Sequence, residues 1–574
     1  MFLLSRRKIL PVFFLLLILS GIWIFFHRIS SVAMDTYVPD SALGFVVVND
    51  VPQVINKLTS TQSWQDLAPA YGLDGKFKYS GWLATLGRWT GIGTAESLLV
   101  SRGQFALIIT GIELRGDEVK PRWALVAETH GSEASIKSLI SNQVAKLATQ
   151  AYRNPIQESS EYAGVPITIF RAPGSAQNLL TAQIKSEWIL ANDPESLRAC
   201  IDTRMGRTPA ISSNQMLPAA RQAVDQDGEV FAFMSRQGAS RFSQFLAHLY
   251  AGKLLEATPL AGLLESLVSD ISNGMVEGMA YSATFERGAV TDQYAVLCKP
   301  DVADSLKAAM KISRHKSPEE SALIKQVPAE IEAVTWFNLQ DPSRSVDSVE
   351  KIVTTRIGVA QSFLFHKFFT TAKKIFLGLE QGENGSSAIG SEVVRLTFAE
   401  HEEEPVWLAT IVERSALEKI ATRLISQPDK GVKSEGYKGF DLKISGDNKK
   451  AFTLIEKFLV YGSSASLKQF IDEKQKKSAW LQTPKFTAAQ SQLEATDSTV
   501  VSFHSVADES LRMMNSLKKQ LNAKSENKIA DSLLSEKIPL AASSAKINDV
   551  GLHVISRSAF GNFPLVTSLI DSIF

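Results

Sequence analysis

Four short patterns in this chain bring together residue types that can do chemistry. Ser516-Leu517-Lys518-Lys519 has the serine–lysine spacing of a nucleophile activated by an amine, as in penicillin-binding proteins. The companion Ser-Asp-Asn and Lys-Thr-Gly sequences of that chemistry are absent. His504 stands beside Ser502 and Ser505 in a strand-like run. A serine–histidine pair also needs an orienting acid and an oxyanion hole, and neither is visible. His401 is followed by Glu402, Glu403 and Glu404. Such side chains can ligate a metal, but a hairpin tip with solvated charge explains the run more simply. Gly91-Ile92-Gly93-Thr94-Ala95-Glu96 opens like a dinucleotide loop and lacks the third glycine. The eight histidines form no His-Glu-x-x-His or His-x-His pattern, and no P-loop or Gly-x-Ser-x-Gly elbow occurs. No catalytic, cofactor-binding or metal-binding residue is nominated, and no cofactor is implied. The balance tilts toward binding and away from catalysis.

The composition agrees with a binding role. Of 574 residues, 45% are apolar and 21% charged, values of ordinary folded domains. Lys plus Arg is 61 and Asp plus Glu is 60, so no global field draws nucleic acid. No basic stretch is interleaved with aromatics as in a nucleic-acid platform. Cys200 and Cys298 are the two cysteines, too few for a disulfide framework or a four-cysteine zinc site. They read as small buried thiols, with a single disulfide as the alternative.

The elements that would position any site begin with an N-terminal helix. Arg6, Arg7 and Lys8 precede an apolar run of 18 residues, Ile9 to Phe26. At roughly 1.5 Å per residue this crosses most of a hydrocarbon layer of about 30 Å. Trp23, Phe25 and Phe26 suit the far interface. The cations before the run put Met1 in the cytoplasm and the rest of the chain on the far side. Residues 1–34 are therefore expected to form a cytoplasmic tip and signal-anchor with its core at 9–26. A cleaved signal peptide is the alternative, with Ser31-Val32-Ala33 as the cleavage site.

The remainder reads as a duplication. Val38-Pro39 before Phe45–Val48 matches Val327-Pro328 before Ala333–Phe337. Pro121–Val126 matches Pro405–Thr410, and Tyr162-Ala163-Gly164 matches Tyr437-Lys438-Gly439. Trp188–Ala191 matches Phe458–Tyr461, Glu195–Leu197 matches Ala465–Leu467, and Val230–Ser235 matches Val500–Ser505. This last match sets Met234 opposite His504, which marks His504 as a tolerated packing position. The offset drifts from 289 to 284, 275 and 270 residues, as loop deletions in a duplicated ancestor would produce. The expected units are 35–315 and 327–574, joined near Lys316-Ser317-Pro318.

Hairpins alternate with single helices in both units. The pattern predicts an α+β fold in which two repeated units, each with antiparallel or mixed sheets flanked by helices, follow one transmembrane helix. Serine is the expected N-cap of the helices at Ser132–Leu147 and Ser415–Ile425. Ile357–Leu377 carries Phe363, Phe365, Phe368, Phe369 and Phe376. It reads as a helix packed on the sheet, or, with Lys367, Lys373 and Lys374, as a lipid- or partner-facing one.

The Val38-Pro39-Asp40-Ser41-Ala42 opening, the hairpin ending at Trp123–Val126 and the Trp188–Leu197 strand–helix step resemble a family of bacterial exported proteins. That family is catalogued only as a domain of unknown function. The resemblance covers residues 38–574 on short, loose motifs and implies a cell-envelope location with no catalytic residues to transfer. Together these features lead to the expectation of a non-enzymatic, single-pass protein of the cell membrane, its bulk periplasmic or extracellular. The N-terminal helix would engage the membrane, and the duplicated ectodomain would bind a protein or envelope component. The alternatives are a membrane-anchored hydrolase of cell-wall or lipid material and a lipid-binding protein.

Overall fold

The computed structural model describes residues 32–74 and 103–573, with breaks at 116–117, 131–132, 226, 255–258, 287, 314–316, 378–387, 402, 427–430, 492, 494–496, 522 and 524–530. The expected signal-anchor (core 9–26) and the Gly91–Glu96 pattern lie outside the described residues. Among the described residues no helix is long and apolar enough to cross a membrane.

Twenty strands are described. The first ten are β1 (Gly44–Val48), β2 (Gln104–Arg115), β3 (Glu118–Glu128), β4 (Ile156–Tyr162), β5 (Val165–Arg171), β6 (Asn178–Ile184), β7 (Glu187–Ala191), β8 (Val230–Ser235), β9 (Val276–Phe285) and β10 (Val290–Cys298). The others are β11 (Ala333–Asn338), β12 (Ile389–Thr397), β13 (Val406–Ile411), β14 (Lys433–Tyr437), β15 (Phe440–Ile444), β16 (Lys450–Ile455), β17 (Phe458–Ser463), β18 (Val500–His504), β19 (Ala541–Asn548) and β20 (Gly551–Ser558).

The helices of the first half are α1 (Val51–Thr59), α2 (Gln62–Tyr71), α3 (Glu133–Tyr152), α4 (Pro194–Arg204), α5 (Met216–Ala223), α6 (Arg236–Leu254), α7 (Pro259–Met275) and α8 (Pro300–Ala309). Those of the second are α9 (Pro342–Thr354), α10 (Val359–Leu377), α11 (Arg414–Ile425), α12 (Ser464–Gln475), α13 (Pro484–Gln490), α14 (Ala507–Gln520), α15 (Asp531–Ser535) and α16 (Phe563–Ile573).

All the strands join one sheet, and every pairing is antiparallel. From one edge the order is β4-β5-β6-β7-β3-β2-β1-β8-β9-β10. From the other it is β14-β15-β16-β17-β13-β12-β11-β18-β19-β20. The two runs meet where β10 pairs with β20.

This corrects the expected fold class. There are not two units, each with its own sheets and flanking helices: a single antiparallel sheet runs through the whole chain. The physical reason is the edge problem. With separate sheets, β10 and β20 would each present a row of unpaired backbone groups. Pairing Val290–Leu297 with Gly551–Ser558 removes both edges at once. The outer strands β4 and β14 are almost wholly exposed and carry Glu158, Glu161, Lys433 and Glu435, charges that discourage further pairing.

The registers of the two runs can be overlaid. Setting Val230 against Val500 sets Ala283 against Ala545, their partners one strand inward. Ala283 pairs with Asp292 and Ala545 with Val554, so Asp292 stands where Val554 does. The next residues, Gln293 and Ile555, pair with each other at the centre of the sheet.

Helices cover both faces. On one, Phe45, Ile108, Val126, Ile189 and Phe233 pack against Leu197 and Ile201 of α4 and Leu217 of α5. The same arrangement in the second half uses Trp336, Val394, Leu408 and Phe503 with Leu467 and Phe470 of α12 and Phe486 of α13. Each such side chain contributes about 1.5–3 kcal/mol when fully buried. Helix α11 is capped by Glu413 and not by Ser415, because the Glu413 carboxylate reaches both Ser415 N (3.0 Å) and Ala416 N (2.8 Å). The Phe-rich α10 packs beside helices α9, α7 and α11.

Candidate anion-binding cavity

A cavity of about 690 Å³ lies between α8 and α9, where the first half of the chain passes into the second. Local sequence fixes both walls. Asp341 caps α9 by accepting from Arg344 N at 2.9 Å, and Pro342 fills the first helical position. Arg344, Ser348, Lys351 and Thr355 then fall on one face of the helix, toward the opening. From the other side come Ser305, Ala308 and Ala309 of α8, and then Lys311. The walls are tied together by Ser345 Oγ donating to Ala309 O (2.7 Å) and Gln340 N donating to Lys311 O (2.7 Å).

Four cations line the space: Lys311, Arg344, Lys351 and Arg356. Its one lining carboxylate is Asp341, which is engaged in the cap. With Asp301, the ion-pair partner of Arg356, counted beside Asp341, the described side chains at the site carry a local excess of two positive charges, against +1 for the entire chain. Arg356 pairs with Asp301 at the rim, while its Nε is buried with no hydrogen-bond partner. The backbone at Arg356 is held in place, because Gly274 of α7 approaches so closely that a Cβ would lie 2.7 Å from its carbonyl oxygen. The start of α9 adds the positive end of its dipole. A cavity of this size, lined by donors and cations, suits a phosphate- or carboxylate-bearing ligand.

The patterns nominated from sequence lie elsewhere and do not converge. His504 is half-buried on β18, and burial lowers its imidazole pKa. Ser502 Oγ is engaged with Thr335 Oγ1 at 3.0 Å, and Ser505 Oγ accepts from Ala507 N at 3.3 Å. Ser516 Oγ accepts from Gln520 Nε2 at 3.1 Å on α14. His401 sits in a short turn after β12. Cys200 and Cys298 are both free, and burial pushes the Cys200 thiol up to about 12. Among the described residues no group of three or more His, Cys, Asp or Glu is placed to hold a metal. None of the cavity residues belongs to those patterns: in the sequence Arg344 and Lys351 are two cations seven apart, a spacing equally that of a solvated helix face.

Two polar clusters are buried under the helices. In the first, Tyr37 Oη contacts Glu128 (3.4 Å) and Glu187 (3.3 Å), Arg204 Nε donates to Glu187 (2.6 Å), and Ser186 Oγ donates to Glu128 (3.1 Å). Burial, and then the two carboxylates, raise the Tyr37 pKa. Nearby Gln104 holds the backbone of Val32, accepting from its N at 2.8 Å and donating to its O at 2.9 Å. In the second, Asp292 is 2% exposed and accepts from Tyr281 Oη at 2.7 Å, beside Asn562. Both clusters tie side chains of the sheet to one another and to the segments over it, and both read as framework.

No family model matches the chain, and no curated protein or solved structure compared with it is similar. The functional argument therefore rests on this geometry.

Proposed function

We propose that this chain is a non-enzymatic, membrane-anchored envelope protein whose duplicated ectodomain binds an anionic envelope component in the cavity between α8 and α9. One observation carries the reading: four cationic side chains surround a cavity of about 690 Å³ whose only lining carboxylate is tied into a helix cap. Charge-assisted hydrogen bonds to such a ligand contribute about 1.5–3 kcal/mol each.

The test is calorimetric titration of the full-length protein with inorganic pyrophosphate at low salt. Native protein should bind, and binding should weaken as salt screens the site. The Arg344→Gln/Lys351→Gln double variant, altered only on an exposed helix face, should bind at least tenfold more weakly. Equal binding by the variant would overturn the proposal.

A further inference from the structure

Beside the cationic cavity lies an apolar knob. Helix α10 begins three residues after Arg356. Val359 at its first position is 91% exposed, and Phe363, one turn on, is 58% exposed. Residues four apart share a helix face, so the two project together. Lys367 follows one turn later, its Nζ 4.8 Å from the centre of the Phe363 ring. Single exposed apolar residues are ordinary. A β-branched and an aromatic residue standing out together, with a cation over the ring, make the pattern of an interfacial helix.

The knob and the cavity are neighbours. A second, shallower groove of about 470 Å³ between α9 and α10 is lined by Val359, Phe363 and His366, and by Lys351, which also lines the cavity. The two carboxylates on this groove are both tied to Lys373. Glu350 meets His366 Nδ1 at 2.6 Å and Lys373 at 2.7 Å, and Asp347 meets Lys373 at 3.2 Å. The surface around the knob thus offers Lys351 and Lys367, while its two carboxylates are turned to Lys373 and His366.

We propose that this face docks on an anionic phospholipid leaflet, with a lipid phosphate in the cavity among Arg344, Lys351 and Arg356 and with Val359 and Phe363 in the acyl boundary. This deepens the reading of the cavity as an anion site and rests on it. A soluble phosphate would use the same cations but leave the knob in water. A leaflet satisfies both features, since its charge and its hydrocarbon lie within a few ångströms of each other.

The test places the full chain in nanodiscs. One set holds phosphatidylcholine alone, and the other phosphatidylglycerol and phosphatidylcholine in equal parts, both with a trace of nitroxide-labelled lipid. A bimane label is attached through Phe363→Cys, with Cys298→Ser to leave only the buried Cys200. A control carries the label through Ile156→Cys on the exposed edge strand β4. We expect quenching at position 363 in the anionic discs and little in the neutral ones. The control should stay bright, and Arg344→Gln/Lys351→Gln should abolish the quenching. Quenching at 363 no greater than at 156 would overturn leaflet docking. If the native protein still binds pyrophosphate in that case, the cavity reading stands with a soluble anion as ligand. If it does not, both fall.

Discussion

Two places where the halves of this chain meet can be compared directly. In one, α1 and α2 from the first half share an apolar cluster with α14 and α16 from the second: Leu58, Trp64, Leu67, Met513, Met514 and Phe560, with Val54 and Phe563 against it. In the other, α9 and α10 from the second half meet α7 and α8 from the first. Both α1 and α9 follow the corresponding strand, β1 or β11, and begin alike. Asp50 accepts from Gln53 N at 2.8 Å and Asp341 from Arg344 N at 2.9 Å, each with a proline in the first turn. They present different faces to their neighbours. Helix α1 turns Val54 and Leu58 into the cluster, at the positions that Ser345 and Val349 hold in α9. The face of α9 that meets the cavity, Arg344, Ser348 and Lys351, corresponds to Gln53, Lys57 and Ser60 of α1, where the one cation pairs with Glu229. One junction thus carries a single matched cation on this face and the other carries two cations toward open space, and that difference is what makes the second informative about binding.

Truncation should separate the two junctions most sharply. Trp64 is 4% exposed, and Trp64→Ala should cost about 3–5 kcal/mol through lost burial and the cavity left behind. Arg344→Ala, on an exposed face, should change stability by no more than about 0.5 kcal/mol. Denaturant midpoints of the two variants against native protein give the comparison. Similar shifts would mean that Arg344 supports the fold, and the contrast would collapse.

A second contrast lies between the halves themselves. Arg204 pairs with Glu187, which is 3% exposed, beside buried Glu128. In the overlaid second half, Lys474 donates to Gln326, with Lys457 and Val412 where the carboxylates would be. Removing Arg204 leaves a buried carboxylate without its cation. For a fully buried pair this costs about 3–5 kcal/mol. The guanidinium is about one-third exposed, so Arg204→Ala should fall near the lower end, about 3 kcal/mol. Lys474→Ala loses one charge-assisted hydrogen bond to a neutral amide and the cation's contact with the Phe458 ring, and should cost about 1.5–2 kcal/mol. Urea midpoints for both variants test the ranking, and a larger effect at Lys474 would reverse it.

How much of this was legible in the sequence depends on the kind of information asked for. The apolar runs Phe45–Val48 and Ala333–Phe337, each after a Val-Pro step, placed β1 and β11, because a buried strand writes its length and period into the residues. The same period says nothing of partners, so the pairing of Val290–Leu297 with Gly551–Ser558, which turns the expected pair of units into one sheet, left no trace. The α11 cap fell on Glu413 because a glutamate can reach two backbone donors, a reach that a preference for serine does not anticipate. The cavity was hidden for a simpler reason. Lys311 lies before the linker and Arg344 beyond it, and nothing local to either announces that α8 and α9 lie side by side. The exposure of Phe363 was open only as the alternative to a packed helix, since a Phe-rich helix reads as core until its neighbours are known.

The smallest contrast is a single position at the centre of the sheet, where Asp292 stands opposite the valine of the other half, Val554. Burial raises the Asp292 carboxyl to about 6, against which the hydrogen bond from Tyr281 works only partly. The folded state therefore holds a proton on Asp292 that the unfolded chain, titrating near 4, has released. Between pH 4 and 6 the native protein binds more protons than the unfolded one, so its stability falls as pH rises through this window. Below it the contribution is fully present, and above about 6 it is lost. The span corresponds to at most about 3 kcal/mol, reduced by whatever water reaches the group. Asp292→Asn keeps an acceptor for Tyr281 and removes the charge. The variant should match native protein at pH 4 and exceed it in urea midpoint at pH 7.5, flattening the pH dependence between. A variant less stable at pH 7.5 would mean that the carboxylate is satisfied as an anion. The centre of the sheet would then be a polar joint in one half, for which the other half supplies only a valine.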